Sequence, residues 1–299
     1  MKYILQIRPA LEATLKKRLP ESEFSGIAVP KCYHAVHRDK AESVLVLSDL
    51  RNEGYFLQPL TAGLTQQQTE AAVQCLAEFH AASYVYETKE KVDLKQKFPY
   101  LLSKEQAVES FQRLVDRGLP LLLKFLENKS NYSKIRSCLK SYTTSRVSET
   151  FLRMLSQSSN LNTLIHCDFW CNNLMFTKAK DNKGKVSCKI VDWQMITYGS
   201  PAIDLAMILS TSLSSEDRRN LQKEIISTYW KSFTTCLQKL GIKTDDIKCS
   251  LEDLMRETEQ CQAHAGLLVV GSVDIALGDS IREERVLSLL SDLIDSNIL

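Results

Sequence analysis

The stretch from residue 164 to residue 194 constrains this chain more than any other part of it. It holds the pattern H-x-D-x-x-x-x-N, as His166, Asp168 and Asn173, between the apolar runs 164–165 and 174–176. Nineteen residues past Asn173 comes Asp192, at the end of the run Lys189, Ile190, Val191. Gly199 and Asp204 follow at G-x-x-x-x-D spacing. Short apolar runs bounded by polar turns read as strands. Three acid or amide groups therefore fall at the ends of strands or loops. Holding them together without a cation or a partner is costly, and the bland alternative is a buried polar turn between two hairpins.

Phosphoryl transfer to a hydroxyl uses such a set. It needs alignment, neutralisation of charge by a metal and a carboxylate facing the nucleophile. Asp168 is placed to orient a substrate hydroxyl. Asn173 offers a carboxamide oxygen to a hard cation, and Asp192 a carboxylate to the same cation. Mg²⁺ accepts few protein oxygens and completes its shell with water and phosphates, so ATP and Mg²⁺ are the expected cofactors. His166 is expected to prop the loop, since the carboxylate of H-x-D already has the catalytic role. A metal-dependent hydrolase using Asp168 and Asp192 would need a second cluster of ligands, and none is visible.

Composition narrows the partners. The chain has 299 residues, 44% hydrophobic and 25% charged, with 38 Lys+Arg against 36 Asp+Glu. A net charge of +2 is too balanced for an electrostatic nucleic-acid binder. The 9 cysteines include no C-x-x-C pair, which excludes zinc-ribbon and thioredoxin readings. Cys167 and Cys171 flank Asp168, but oxygen chemistry there competes with any metal role. Residues 1–19 lack the apolar core of a secretory signal, and the longest apolar stretch, 265–273, is too short to span a bilayer. A cytoplasmic protein with a small-molecule partner, no membrane or nucleic-acid partner and no obligate protein partner is expected.

The texture predicts an α+β chain. A helix over 1–19 is kinked near Pro9. Strands over 32–36 and 43–47 flank a charged turn at Arg38, Asp39 and Lys40, and 49–63 is irregular, with Gly54, Pro59 and Gly63. Thr65 and Gln68 form a capping box for a helix over 66–82. Helices are expected over 103–127, 133–157, 202–213, 215–240, 250–277 and 280–296. A β-rich segment spans 162–198, with a polar turn at 181–184. The boundary between the mixed and helical parts falls near residue 50. His80 is expected as a satisfied core histidine, Trp170 and Trp193 as packing residues, Asp204 as a structural acceptor, and His34 with His37 as a surface pair.

The segment resembles the aminoglycoside/choline-kinase branch of the protein-kinase-like fold, and is most similar to the ecdysteroid-kinase-like family. That family's pattern is roughly H-G-D-x-W-x-N-N-x-M-F followed by V-D-F-Q. Here the matching residues are His166, Asp168, Trp170, Asn172, Asn173, Met175 and Phe176, then Val191, Asp192 and Gln194. Cys167 replaces the usual Gly and Trp193 the usual Phe. Segments at 30–33, 44–50, 76–83 and 201–206 match as well, so the resemblance covers essentially the whole chain.

The resemblance implies a bilobal fold with a truncated N-lobe and a mainly helical C-lobe carrying a small β-rich catalytic segment. Residues 1–50 would be the N-lobe remnant (the end of helix C, two strands and the hinge), and 51–299 the C-lobe. Leu47, Ser48, Asp49 and Leu50 would be the adenine-pairing hinge. From spacing alone, a strand end followed by an Asx turn stands equally well there. No G-x-G occurs among the 10 glycines and no apolar strand ending in Lys precedes residue 44. The resemblance then places the phosphate loop, the Lys and its helix Glu upstream of Met1. The expected activity is ATP-dependent phosphorylation of a small-molecule hydroxyl, possible acceptors including a steroid alcohol such as an ecdysteroid. The alternative is a catalytically inactive, truncated kinase-like binding protein.

Overall fold

The computed structural model describes residues 2–23, 26–38, 42–142, 144–156, 159–178 and 184–299. Asp39 and Lys40 of the first expected turn, and Asp181 to Lys183 of the second, lie outside the described residues. The chain opens with a π-helical turn, Tyr3–Ile7, that runs into α1, Arg8–Arg18. Pro9 lacks the N–H that a continuous α-helix would need, so the wide turn ends just before it.

Strands β1 (Cys32–Val36) and β2 (Val44–Leu47) form an antiparallel pair. The segment 49–63, expected to be irregular, instead contains a 3₁₀ turn (Leu50–Glu53) and a strand, β3 (Tyr55–Leu57). Only three residues long, β3 has no readable period of its own. Its partner is distant: Phe56 faces Phe176 of β5 (Leu174–Thr177).

Helix α2, Gln66–Lys89, runs seven residues past its expected end at 82. Its capping box forms as expected: Thr65 Oγ1 accepts the Gln68 N–H, and Gln68 Oε1 accepts the Thr65 N–H at 3.0 Å. A short α3 (Leu94–Lys97), capped by Asp93, was not foreseen. Next come α4 (Lys104–Phe125), α5 (Ser133–Lys140) and α6 (Thr144–Ser156). The last two replace the single helix expected over 133–157. Strand β4 (Thr163–Ile165) pairs with β7 (Thr197–Gly199), and β3, β5 and β6 (Cys188–Ile190) form a three-stranded antiparallel sheet. The helices α7 (Ala202–Ser212), α8 (Ser215–Lys239), α9 (Leu251–Gly271) and α10 (Ser280–Asp295) complete the chain. The helix expected to continue to 277 stops at Gly271 and gives way to a 3₁₀ turn at Val273–Ile275.

The core explains the order. Helix α7 is buried on every side from Ala202 to Ser210, which suits its near-continuous apolar sequence. It packs on α9, while α2 lies along α8 with Ala72, Leu76, Phe79 and Val85 wholly buried. Gly118 of α4 allows the closest approach: a Cβ there would lie 2.2 Å from the Val270 carbonyl oxygen of α9. No helix among the described residues is long and apolar enough to cross a membrane.

Candidate active site

The site is built where β4 ends, β6 ends and α7 begins. Asp204, in the first turn of α7, is fully buried. Its Oδ2 accepts the His166 N–H at 2.7 Å and its Oδ1 the Cys167 N–H at 2.7 Å. A carboxylate takes such bonds strongly because it is charged and they are not shared with water. His80 on α2 reaches the same carboxylate through Nε2 at 3.3 Å and meets the Tyr229 hydroxyl through Nδ1 at 2.8 Å. Burial lowers the His80 pKa. The neutral ring then donates to Asp204 and accepts from Tyr229, so this histidine is satisfied within the core.

Cys167 has a φ of +64°. That left-handed conformation favours glycine, and it turns the backbone sharply so that Asp168 leaves the core. Cys167 is 1% exposed, and burial pushes its thiol pKa well up. The loop therefore tolerates a cysteine at the turn, as a neutral packing residue. Cys171 is also buried; its N–H donates to Ser212 Oγ at 2.9 Å.

Asn173 lies at the far end of the loop. Its Nδ2 donates to the Asp168 carbonyl and to Asp168 Oδ2, both at 2.8 Å. The carboxamide oxygen is not used in that pair. The Asn173 carbonyl accepts the Val191 N–H at 2.9 Å, and the Val191 carbonyl meets His166 Nε2 at 3.0 Å. The residue before Asp192 is thus tied to both ends of the H-x-D loop. Asp192 itself is exposed, with a φ of +58°, and Oδ2 takes a bond from Gln194 Nε2 at 3.3 Å. His166 is wholly buried against Phe169 and Trp193, with no partner for Nδ1 among the described residues.

Burial raises the Asp168 pKa. The His166 ring and the Asn173 bond oppose this, while Asp192 and Asp204 add to it. Asp168 opens on a cavity of about 360 Å³, within the size range of small-molecule sites. Phe111 and Leu114 of α4, Met207 of α7 and Leu268 of α9 line it, with Trp170. Trp193 packs as expected, stacked on Tyr3 with ring centroids 4.0 Å apart. Trp170 also packs against the core and in addition forms part of the cavity wall. Sequence reading missed this wall because its members come from segments far apart along the chain.

The four residues at 47–50 are not part of that wall. Leu47 ends β2, and the Ser48 N–H donates to the Lys31 carbonyl at 2.8 Å. Asp49 forms an Asx turn with the Arg51 N–H at 3.0 Å, and its carboxylate pairs with the Arg51 guanidinium at 2.7 Å. That side-chain bond holds its carboxyl below the usual range. Leu50 is buried. His34 and His37 are exposed.

Among the described residues no three His, Cys, Asp or Glu side chains form a metal cage. The Asn173 carboxamide oxygen and the exposed Asp192 carboxylate are oxygen donors of the kind a magnesium ion accepts.

Small antiparallel sheets, a mainly helical C-terminal half and a carboxylate-braced H-x-D loop are features of a protein-kinase-like fold. A choline kinase of Cryptosporidium parvum Iowa II shares it, with a TM-score of 0.50 and 16% identity over 96% of this chain and 80% of that one. An ethanolamine kinase of Plasmodium vivax aligns over 97% of this chain and 72% of that one, at 12% identity and a TM-score of 0.49. The chain belongs to the ecdysteroid kinase-like family, whose model matches residues 3–242. In sequence it is also 24% identical over 277 residues to the uncharacterized oxidoreductase dhs-27 of Caenorhabditis elegans, matching 81% of this chain and 32% of that protein. The chain thus spans about a third of the length of that curated relative.

Proposed function

We propose that this chain is an ATP-dependent phosphotransferase whose acceptor is a hydroxyl of a small, largely apolar molecule, a steroid alcohol such as an ecdysteroid being one candidate. The observation that supports it most directly is the position of Asp168. Its carboxylate is held by Asn173, raised in pKa by burial and open to an apolar cavity.

In this reading the acceptor hydroxyl lies against Asp168, which takes its hydrogen bond and orients an oxygen lone pair toward the γ-phosphorus. The new O–P bond forms as the bond between the γ-phosphorus and the ADP oxygen breaks, and ADP leaves with that electron pair. The hydroxyl proton passes to Asp168 and then to solvent. Asn173 and Asp192 are the residues that would hold Mg²⁺, which supplies charge neutralisation on the phosphates. His166 and Asp204 would support the loop without touching substrate. The end of β2 at 47–50 would be the nucleotide hinge, with the lobe boundary near residue 50. A cytoplasmic location and a small-molecule partner go with this reading, and the balanced net charge argues against an electrostatic nucleic-acid partner.

The test is a magnesium-dependent rise in melting temperature on adding ATP, lost in Asp192→Ala, together with phosphate transfer to an apolar alcohol, lost in Asp168→Asn. ATP binding without any transfer would favour a kinase-like binding protein instead. No nucleotide-induced shift in the wild type would sink the enzyme reading.

A further inference from the structure

The cavity beside Asp168 is apolar over most of its wall, and its charged members are Asp168, Arg282 and Arg285. Arg285 stands apart from the other buried cations. It is 7% exposed, and its Nη1 and Nη2 donate to the carbonyl oxygens of Leu60 and Thr61 at 2.8 and 2.9 Å. Arg218 nearby is closed off by Asp292, and Arg282 pairs with Asp279 at 3.4 Å. Arg285 has no carboxylate at ion-pair distance among the described residues; Glu284 and Asp279 act on it only from farther away, and Arg218 opposes them. A buried charge is ordinarily matched by a counter-ion, and two carbonyl dipoles do not supply one. The guanidinium has five N–H donors in a planar fork, of which these carbonyls use two. Three are not used by these carbonyls, Arg285 lines the cavity, and a planar fork suits a carboxylate best.

We infer that the molecule bound here is an apolar hydroxy acid, its hydroxyl at Asp168 and its carboxylate at Arg285, with Arg282 beside it. This rests on the reading of the cavity as the acceptor site. The two ends carry opposite charge, so they also orient the guest. An acid is repelled from Asp168 and drawn to Arg285, which brings the hydroxyl to the carboxylate. An amino alcohol would be drawn in backwards, with its ammonium on Asp168 and its hydroxyl away from it.

Three steroid alcohols of one skeleton test this on the full chain: lithocholate, its methyl ester and the corresponding side-chain amine. Binding is read by calorimetry without nucleotide, and transfer separately with magnesium and ATP. Lithocholate is expected to bind roughly ten- to hundredfold tighter than its ester, as a charge-assisted bond implies, and the amine weakest. Arg285→Gln should erase the preference for the acid, and Arg285→Lys should keep part of it. Should Arg285→Gln fail to fold, the wild-type ranking of the three probes decides. Equal binding of acid and ester, binding of none of the three, or displacement of lithocholate by excess inorganic phosphate overturns the inference. If lithocholate binds as expected and is not phosphorylated although ATP binds, the acid-binding site stands and the reading of this cavity as the acceptor site fails.

Discussion

Asp204 Oδ1 accepts the backbone N–H of Cys167 at 2.7 Å, at a residue whose φ is +64°. The other oxygen takes the His166 N–H, so one buried carboxylate fixes both residues that precede Asp168. An amide in its place has one acceptor oxygen and would aim an NH₂ at the second donor. Asp204→Asn is expected to lose about 2–4 kcal/mol of unfolding free energy in urea titration. A loss below about 0.5 kcal/mol, the range of ordinary surface changes, would show that the carboxylate does not brace the loop.

At the same turn, Cys167→Gly relieves the left-handed backbone but empties a buried site and loosens the unfolded chain. These effects oppose one another at about 1 kcal/mol each. The variant should melt close to the wild type. Cys167→Val, branched at Cβ in a left-handed conformation, should fall by about 2 kcal/mol or more. Equal stability of the glycine and valine variants would contradict the strained turn.

The raised pKa of Asp168 fixes the sign of a pH effect. Between its ordinary value of about 3.9 and its folded value, the folded state holds the proton more tightly than the unfolded one. Stability therefore falls as pH rises through that window, and the ionised carboxylate is unfavourable at neutral pH. Asp168→Asn should melt above the wild type at pH near 7. The gap should close as the pH drops below about 4, where both side chains are neutral. Transfer activity should fall by at least about a hundredfold. A variant less stable than wild type at neutral pH would mean that burial does not dominate at this carboxylate.

Gly118 sets the distance between α4 and α9, the helices that carry Phe111, Leu114 and Leu268 into the cavity. An added methyl would meet the backbone oxygens of Val270 and Gly271 at 2.2 and 2.5 Å. Backbone cannot yield as a side-chain tip can. Gly118→Ala is expected to cost about 1–3 kcal/mol in thermal unfolding and to weaken binding in the cavity together with stability. A change confined to stability would show that the cavity tolerates a shift of α4.

Much of the helical frame was legible. Thr65 with Gln68 marks the start of α2 because a capping box is a local device, complete within four residues. The β-rich segment around His166 and Asp192 was legible for the same reason: short apolar runs and polar turns alternate within it. β3 was not. Three residues have no period, and only pairing with β5, more than a hundred residues on, makes them a strand. The split of 133–157 into α5 and α6 was hidden by continuous helical spacing across the break.

The sequence by itself marked Asp168, Asn173 and Asp192 as the candidate site, because acid and amide groups at those spacings have few other uses. It also carried the family pattern. The tertiary structure alone decided what surrounds them. Asp204, 36 residues from Asp168 along the chain, was expected from the sequence as a structural acceptor, but which groups it takes, the His166 and Cys167 N–H, only the fold shows. Arg285, on the last helix, looks like one more surface cation in the sequence. Folding buries it beside the cavity with two carbonyl oxygens as its hydrogen-bond partners among the described residues, because charge pairing depends on distance through space and not along the chain.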